Sequence, residues 1–178
     1  MVRPRMKLRH INCCLVSTDL LPSLCLPRSK VAAAGLPTPR HDHAESMSRF
    51  ATECLGKMLT VVKSLEVLLG PGTGELGMRF GLHSGQVMAG VLRGEKSRFQ
   101  LFGDTVNTAS RIETTGARNK IHISSQTAEH LIASNKSHWI KPRATKVMAK
   151  GKGELQTYWL VTHAIIHHRH RQRAMGGW

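Results

Sequence analysis

The stretch FGDTVNTASRIETTG, residues Phe102–Gly116, predicts a short helix that begins just after an apolar strand. Gly103 and Asp104 interrupt the apolar run. Asp104 suits the N-cap position, because its carboxylate can accept hydrogen bonds from the free backbone N–H groups of the first turn. Gly116 suits the C-terminal stop. The expected helix therefore spans most of this stretch.

The two faces of this helix differ in chemistry. At about 100° per residue, the side chains of Val106, Ala109 and Ile112 fall within one arc of roughly 120°. Asn107 and Arg111 are four residues apart and lie on the opposite side, about 40° from each other. Packing of the apolar arc would turn the amide and the guanidinium outward together. Most such outward polar pairs form an ordinary solvated face, so this stretch alone does not assign them a role.

The surrounding sequence alternates helix and strand signals. Residues 41–69 carry apolar side chains at three- and four-residue steps, which predicts a helix. The segment MRFGLHSGQVMAGVLRG, residues 78–94, predicts a hairpin around a Ser84-Gly85 turn. Further segments predict strands at 31–34, 97–103 and 120–125, a capped helix at 125–134, and paired strands around a Gly-Lys-Gly turn within 138–161. This pattern predicts an α+β sandwich, with an antiparallel-rich sheet covered by helices on one face.

Composition limits the possible functions. The chain has 178 residues, 40% of them hydrophobic and 4% aromatic, so aliphatic side chains must build its core. The net charge is +15, but residues 41–140 are nearly balanced, and most of the excess lies in the basic ends. Basic ends favour solvated tails or loose attraction to nucleic acid or anionic lipid, and an anionic substrate is also compatible.

Cysteine, histidine and hydropathy patterns give weaker signals. The cysteines form no CxxC pair and match no zinc spacing, which is typical of reduced cytosolic thiols. The histidines of the tail HHRHRQR suit weak metal binding or a solvated tail. No run of 18 apolar residues occurs, so no membrane span is expected in this chain. The Arg-rich start loosely fits a transit peptide and fits a poorly ordered terminus better.

Five motifs in order, AGLP…HAESM, FGLHSGQVMAGVLRG, FGDTVNTASRIETTG, KIHISSQT and KGKGELQTYWL, resemble the catalytic domain of class III nucleotide cyclases. The guanylyl and receptor-cyclase branch is the most similar. The resemblance runs from about Lys30 to Leu160. It implies a ferredoxin-like sandwich, dimers with sites between two chains, and a phosphorus-oxygen lyase that converts GTP or ATP to cGMP or cAMP plus pyrophosphate in intracellular signalling.

The resemblance also implies residue roles. Asn107 matches the residue that orients the ribose, and Arg111 matches the one that stabilises the transition state at the α-phosphate. Lys150 matches the lysine that binds the terminal phosphates, although a solvated hairpin lysine is an equal alternative. Gln100 falls at one purine-reading position, and its amide can donate and accept, so it does not choose between guanine and adenine. The other purine position falls at Leu24.

The family's metal site does not match. Mg²⁺ or Mn²⁺ is expected for the family, held by two aspartates. Arg28 occupies the position of the second aspartate, and the strand bearing the first would fall before residue 1. Asp19 does not fit the spacing because it lies only nine residues before Arg28. We therefore expect no metal ligands in this chain, a fold without its first strand and helix, and an isolated chain without activity.

Three hypotheses follow from these observations. The chain is a partial cyclase domain that supplies Asn107, Arg111 and Lys150 to a site shared with a homodimer or heterodimer partner. Alternatively, it is an inactive regulatory or degenerate cyclase-like partner. A remote alternative is a basic nucleic-acid-binding protein, although nucleic acid is not the expected partner. The predicted division is an unrelated or disordered segment at 1–29, a partial cyclase domain at 30–162 and a basic tail at 163–178. The expected location is the cytoplasm, or the cytoplasmic side of a membrane within a longer receptor-type parent.

Overall fold

The fold is a mixed sheet with helices on both faces, seen in a computed structural model that describes residues 11–21, 30–36, 38–92, 98–149 and 153–161. The helices are α1 (His43–Leu69), α2 (Asp104–Thr114) and α3 (Ser125–Ala133). The strands are β1 (Ile11–Leu21), β2 (Lys30–Ala34), β3 (Gly77–Leu92), β4 (Arg98–Phe102), β5 (Ile121–Ser124), β6 (Ile140–Pro142), β7 (Val147–Ala149), β8 (Gly153–Leu155) and β9 (Thr157–Leu160).

The main sheet has the strand order β2-β1-β3-β5-β9-β6, and β4 pairs with the far end of β3. Among the described strands of this sheet, only β3 and β5 pair in parallel. Strands β7 and β8 form a separate antiparallel pair. The predicted α+β class and antiparallel-rich sheet are confirmed.

The main core lies between the sheet and the helices α1 and α3. Its buried side chains come from alternate positions of the strands and one stripe of each helix, as period-two and period-3.6 patterns require. They are Ala44, Met47, Ala51, Leu55, Phe80, Leu82, Ile121, Ile123, Ala128, Leu131, Trp139 and Leu160. Helix α3 begins as predicted with a cap, because the Ser124 hydroxyl accepts from the backbone N–H of Thr127 at 3.3 Å.

Helix α2 lies on the other face of the sheet, so the prediction of helices on one face holds only for α1 and α3. Phe80 and Leu82 point toward the main core, whereas Gly81 between them faces α2.

The N-cap of α2 lies one residue earlier than predicted. Gly103 is the N-cap with φ 131°, and Asp104 is the first helical residue rather than the cap. An acid in the first turn still favours the positive end of the helix dipole.

The predicted hairpin at Ser84-Gly85 is wrong, because β3 is one continuous strand of 16 residues. Its register with β1 runs unbroken through this point, with Cys14 opposite Ser84 and Cys13 opposite Gly85. Gly85 serves close packing instead. A Cβ atom at this position would lie 2.7 Å from the Thr105 hydroxyl on α2. A helix distant in sequence therefore explains the glycine that suggested a turn.

Strand β1 also differs from the expectation. Residues 1–29 were expected to lie outside the fold, and the first strand was expected to be missing. Residues Ile11–Leu21 pair antiparallel with both β2 and β3. They fill the sheet between two strands whose facing edges would otherwise have unpaired backbone groups.

Candidate active site

Helix α2 approaches the sheet very closely, because two glycines of β3 lie beneath it. A Cβ atom on Gly81 would lie 2.2 Å from the backbone nitrogen of Glu113 and 2.6 Å from the carbonyl oxygen of Ala109. Any side chain at this position would therefore push the helix backbone away from the sheet. The glycines fix the height of α2, and with it the positions of the residues on its outer face.

Both ends of α2 are also held by hydrogen bonds. At the first turn, the Thr105 hydroxyl donates to the carbonyl oxygen of Gln86 at 2.6 Å. At the last turn, the carboxylate of Glu113 is almost fully buried and accepts from the Arg79 guanidinium at 2.8 Å. Breaking a buried pair of this kind leaves an uncompensated charge, which is strongly destabilising. These contacts restrict both sliding and rotation of the helix.

His122 provides a third contact with α2 from strand β5. Its Nδ1 lies 2.6 Å from the carbonyl oxygen of Ile112, which can only accept, so Nδ1 carries the proton. Burial, together with a smaller effect of the nearby Arg143 guanidinium, lowers the pKa of His122 to about 4 against the opposing effect of the backbone hydrogen bond. The imidazole is therefore neutral at physiological pH, and its Nε2 is an acceptor.

The outer face of α2 presents the two polar residues singled out in the sequence. Asn107 is exposed and Arg111 is half-buried, while Ala109 and Ile112 are buried beneath them. Val106 is partly buried and packs in a small apolar cluster with Val87 and Ala109. The predicted outward orientation of Asn107 and Arg111 is therefore confirmed. Their chemical roles stay predictions.

A cleft of about 480 Å³ lies beside the start of α2. Residues from β2 and the segment after it, from β4 and from α2 line this cleft. All of the described lining residues are apolar except Gln100. The lining residues are Val31, Ala33, Leu36, Gln100, Leu101 and Val106. Gln100 thus shares a cleft with Val106, the sequence neighbour of Asn107. An apolar cleft with few polar groups is the usual form of a small-molecule site.

The described residues do not fit a divalent metal at this cleft. Mg²⁺ and Mn²⁺ require carboxylate or other oxygen ligands, and none of the described residues that line the cleft is acidic. Across the described ranges, no group of three His, Cys, Asp or Glu side chains is placed to hold a metal ion. The nearby buried acid, Glu113, is paired with Arg79. Arg28, Leu24 and Lys150 lie outside the described residues, so their predicted positions are not tested.

Several residues that organise this site gave no local signal in the sequence. Arg79 and Glu113 are 34 residues apart, and His122 and Arg143 each hold α2 from other strands or loops. The apolar lining of the cleft was visible only as the small-residue run Val31–Leu36. A pattern analysis could identify that run as a strand, but could not show which cavity its side chains line.

Sequence and structure comparisons assign the chain to a family. A profile of the adenylate and guanylate cyclase catalytic domain matches residues 29–162. The chain belongs to this family, which confirms the resemblance seen in the motifs. Rat guanylate cyclase soluble subunit beta-2 is 39% identical over 132 residues, which are 74% of this chain and 18% of that protein. The Caenorhabditis elegans receptor-type guanylate cyclase gcy-28 is 39% identical over 130 residues, 73% of this chain and 10% of that protein.

Solved structures agree with this assignment. The guanylate cyclase domain of RhGC from Catenaria anguillulae, solved in complex with GTP, has a TM-score of 0.68 and 26% identity. The match covers 85% of this chain and 96% of that domain. The adenylyl cyclase CyaB from P. aeruginosa has a TM-score of 0.71 at 15% identity, which shows the shared fold alone. The chain therefore corresponds to a catalytic domain and spans less than a fifth of the length of the rat and Caenorhabditis elegans relatives.

Hydropathy adds one further observation. Within the described residues, none of the helices combines the length and apolar character that crossing a bilayer requires.

Proposed function

We propose that this chain forms the substrate-orienting half of a nucleotide cyclase site that is completed by a second chain. The observation that carries the proposal is the placement of Asn107 and Arg111 on the outer face of α2, beside the cleft that contains Gln100. In this arrangement the cleft receives the purine of GTP or ATP, Asn107 orients the ribose, and Arg111 contacts the α-phosphate. Lys150 binds the terminal phosphates.

The chemistry explains why a rigid guanidinium suits this position. The ribose 3′-oxygen attacks the α-phosphorus, the new P–O bond closes the ring, and the bond to pyrophosphate breaks. Negative charge grows on the phosphoryl oxygens as this happens. A cation fixed at that point stabilises the transition state more than the ground state, because it needs no reorganisation. The contacts that hold α2 against β3 supply the rigidity.

The metal ions of the reaction belong to the other half of the site in this proposal. Mg²⁺ or Mn²⁺ would assist deprotonation of the 3′-hydroxyl and neutralise the phosphates when bound. No carboxylate of the described residues lines the cleft, and the proposal assigns the metal ligands to the partner chain. The partner is then a cyclase chain with both metal aspartates, which makes the productive complex a heterodimer. The complex would act in cyclic nucleotide signalling, in the cytoplasm or on the cytoplasmic side of a membrane.

A second candidate function is that of a regulatory cyclase-like partner without turnover. The described residues that line the cleft include no carboxylate for a metal ion, which is consistent with such a partner. The two candidates differ in one property, since only the first requires Arg111 for turnover in the mixed dimer. Binding of nucleic acid gains no support from the described residues, because the candidate site is an apolar cleft and not a basic groove.

The test is a complementation assay with a metal-competent cyclase chain of the same family. Arg111→Ala in this chain should lower the turnover of the mixed dimer by about 10²–10³. The loss should fall on kcat, because Arg111 acts chiefly in the transition state. Lys63→Ala is the matched control, since Lys63 is an exposed cation on α1, on the other face of the sheet. Equal turnover with Arg111→Ala and Lys63→Ala would support the regulatory alternative instead.

A further inference from the structure

Arg143 occupies the junction between β6 and the β7–β8 hairpin, and its guanidinium makes several contacts at once. Its NH1 group donates to the carbonyl oxygen of Thr115 at 2.7 Å and lies 3.4 Å from Nε2 of His122. Its Nε donates to the Thr145 hydroxyl at 3.1 Å. The rigid fork of an arginine suits such a set of acceptors, which the point charge of a lysine cannot bind together.

The backbone of Arg143 is fixed as well. Its N–H donates to the carbonyl oxygen of Thr157 at 2.9 Å, and its carbonyl oxygen accepts from the Gln156 side-chain amide at 3.0 Å. The guanidinium carbon also lies 5.2 Å from the ring centroid of Trp159. Arg143 is thus held at the start of β9 through its backbone and its aromatic neighbour, while its fork reaches outward to α2.

The contact with Thr115 leads directly to Arg111. The backbone N–H and the hydroxyl of Thr115 both donate to the carbonyl oxygen of Arg111, at 3.1 and 2.8 Å. Hydrogen bonds through Thr115 therefore connect the Arg143 guanidinium to the backbone of Arg111. The carbonyl groups at a helix C-terminus lack helical partners, so this end of α2 would be free to fray without such donors.

The hairpin provides the other half of the connection. Arg143 and Thr145 lie in the segment that enters β7, and β7 ends at Ala149, the residue before Lys150 in the sequence. The residue that holds the end of α2 therefore also lies at the base of the β7–β8 hairpin. In the proposed site, Arg111 and Lys150 bind the same triphosphate from these two elements.

We infer that Arg143 is a positioning residue that fixes the C-terminal end of α2, and with it Arg111, relative to the base of the β7–β8 hairpin. This inference rests on the proposed function for its catalytic consequence. Arg143 does not touch the substrate in this account. It acts by keeping two phosphate-binding elements in register, and a misplacement of about 1 Å in such a site can cost about 10²-fold in rate.

The kinetic test is a double-mutant cycle in the mixed dimer. Arg143→Ala should lower kcat by about 10–10²-fold with little change in KM, because its effect passes through Arg111. In the Arg111→Ala background, Arg143→Ala should lower kcat by less than about a further twofold, because the guanidinium that it would position is already absent. Losses that multiply in the double variant would overturn the inference.

Arg118→Ala is the matched control for the loss of an arginine that donates to backbone carbonyls. Arg118 donates to the carbonyl oxygens of Gly74 and Leu76, away from the hairpin. Its removal should change kcat by less than about twofold, alone or with Arg111→Ala. Arg143→Lys keeps the charge but not the fork, and provides a milder variant if Arg143→Ala unfolds. It should show an intermediate loss of kcat and the same lack of additivity.

Hydrogen exchange on the free chain tests the same connection without turnover. In Arg143→Ala the amides of Thr115 and Gly116 and those of β7–β8 should all exchange about tenfold faster, as expected for one lost hydrogen bond. In Arg118→Ala the β7–β8 amides should exchange as in the wild type. A wild-type mixture without turnover would overturn the proposed function, and unchanged exchange in Arg143→Ala would overturn the coupling itself.

Discussion

The two faces of the sheet are built by different means. The face under α1 and α3 buries a continuous cluster that includes Phe80, Leu82 and Leu131. The face under α2 has a much smaller apolar cluster around Val87 and Ala109, and relies on glycines and polar contacts. Apolar burial supplies most of the folding free energy, whereas directional contacts fix position. The first face therefore stabilises the domain, and the second sets the geometry of the candidate site.

The largest effect on stability should come from truncation of the main core. Phe80→Ala should lower the free energy of unfolding by about 3–5 kcal/mol, because Phe80 is fully buried between the sheet and the helices. Urea denaturation measures this loss of stability, provided that the unfolding free energy depends on urea concentration with the same slope in the variant and the wild type. Phe50→Ala is the control, since Phe50 is 45% exposed on α1, and it should cost about 1 kcal/mol or less. If the two variants lost equal stability, the core assigned to this face would be incorrect.

The second prediction concerns the close approach of α2. Gly81→Ala should destabilise the domain by about 1–3 kcal/mol, because the new methyl group meets helix backbone that cannot move aside. Unlike Phe80→Ala, it should also lower kcat of the folded mixed dimer, since it displaces α2. Gly56→Ala is the matched change on exposed α1, where a new Cβ meets nothing within 4 Å. It should stabilise by about 0.5–1 kcal/mol. If Gly81→Ala changed neither the stability nor kcat, α2 would not be held this close to the sheet.

The third effect is a pH dependence that originates under α2. The pKa of His122 falls from 6.5 to about 4 on folding, chiefly because of burial, so the unfolded chain binds a proton that the folded chain does not. Stability is therefore complete above pH 6.5 and declines as the pH falls toward 4. The slope is at most about 1.4 kcal/mol per pH unit for this one proton.

A substitution isolates that contribution. His122→Asn keeps an N–H donor for the carbonyl oxygen of Ile112 but cannot titrate. Urea denaturation between pH 4 and 6.5 should give a flatter dependence in this variant than in the wild type. His130, whose pKa is also lowered by burial, is present in both proteins and cancels in the comparison. Identical slopes would show that His122 is not buried in neutral form.

The sequence predicted best those elements that depend on local periodicity. The apolar steps of α1, the two faces of α2 and the Ser124 cap of α3 are encoded within a few residues of one another. The hairpin at Ser84-Gly85 was wrong because a glycine beneath a distant helix has the same local pattern as a glycine in a turn. Strand β1 was not expected because its pairing partners, β2 and β3, decide its state.

The candidate site divides in the same way. Asn107 and Arg111 follow from helical spacing together with the family motif, and Gln100 from its place in β4. The residues that hold them could not be predicted, since Glu113 finds Arg79 34 residues away and Arg143 finds Thr115 28 residues away. Such contacts join elements whose packing is set by the whole fold. Sequence motifs thus identified the polar residues on the outer face of α2 better than the residues that hold this helix in place.

In the proposed site, this chain supplies Asn107 and Arg111, and another chain holds the metal ions. The most direct measurement is cyclic nucleotide formation from GTP or ATP with Mg²⁺ or Mn²⁺, by the chain alone and after mixing. The partner is a family chain that has both metal aspartates but lacks the arginine corresponding to Arg111. We expect no product from either chain alone and turnover from the mixture. Robust turnover by this chain alone, abolished by a chelator, would contradict it.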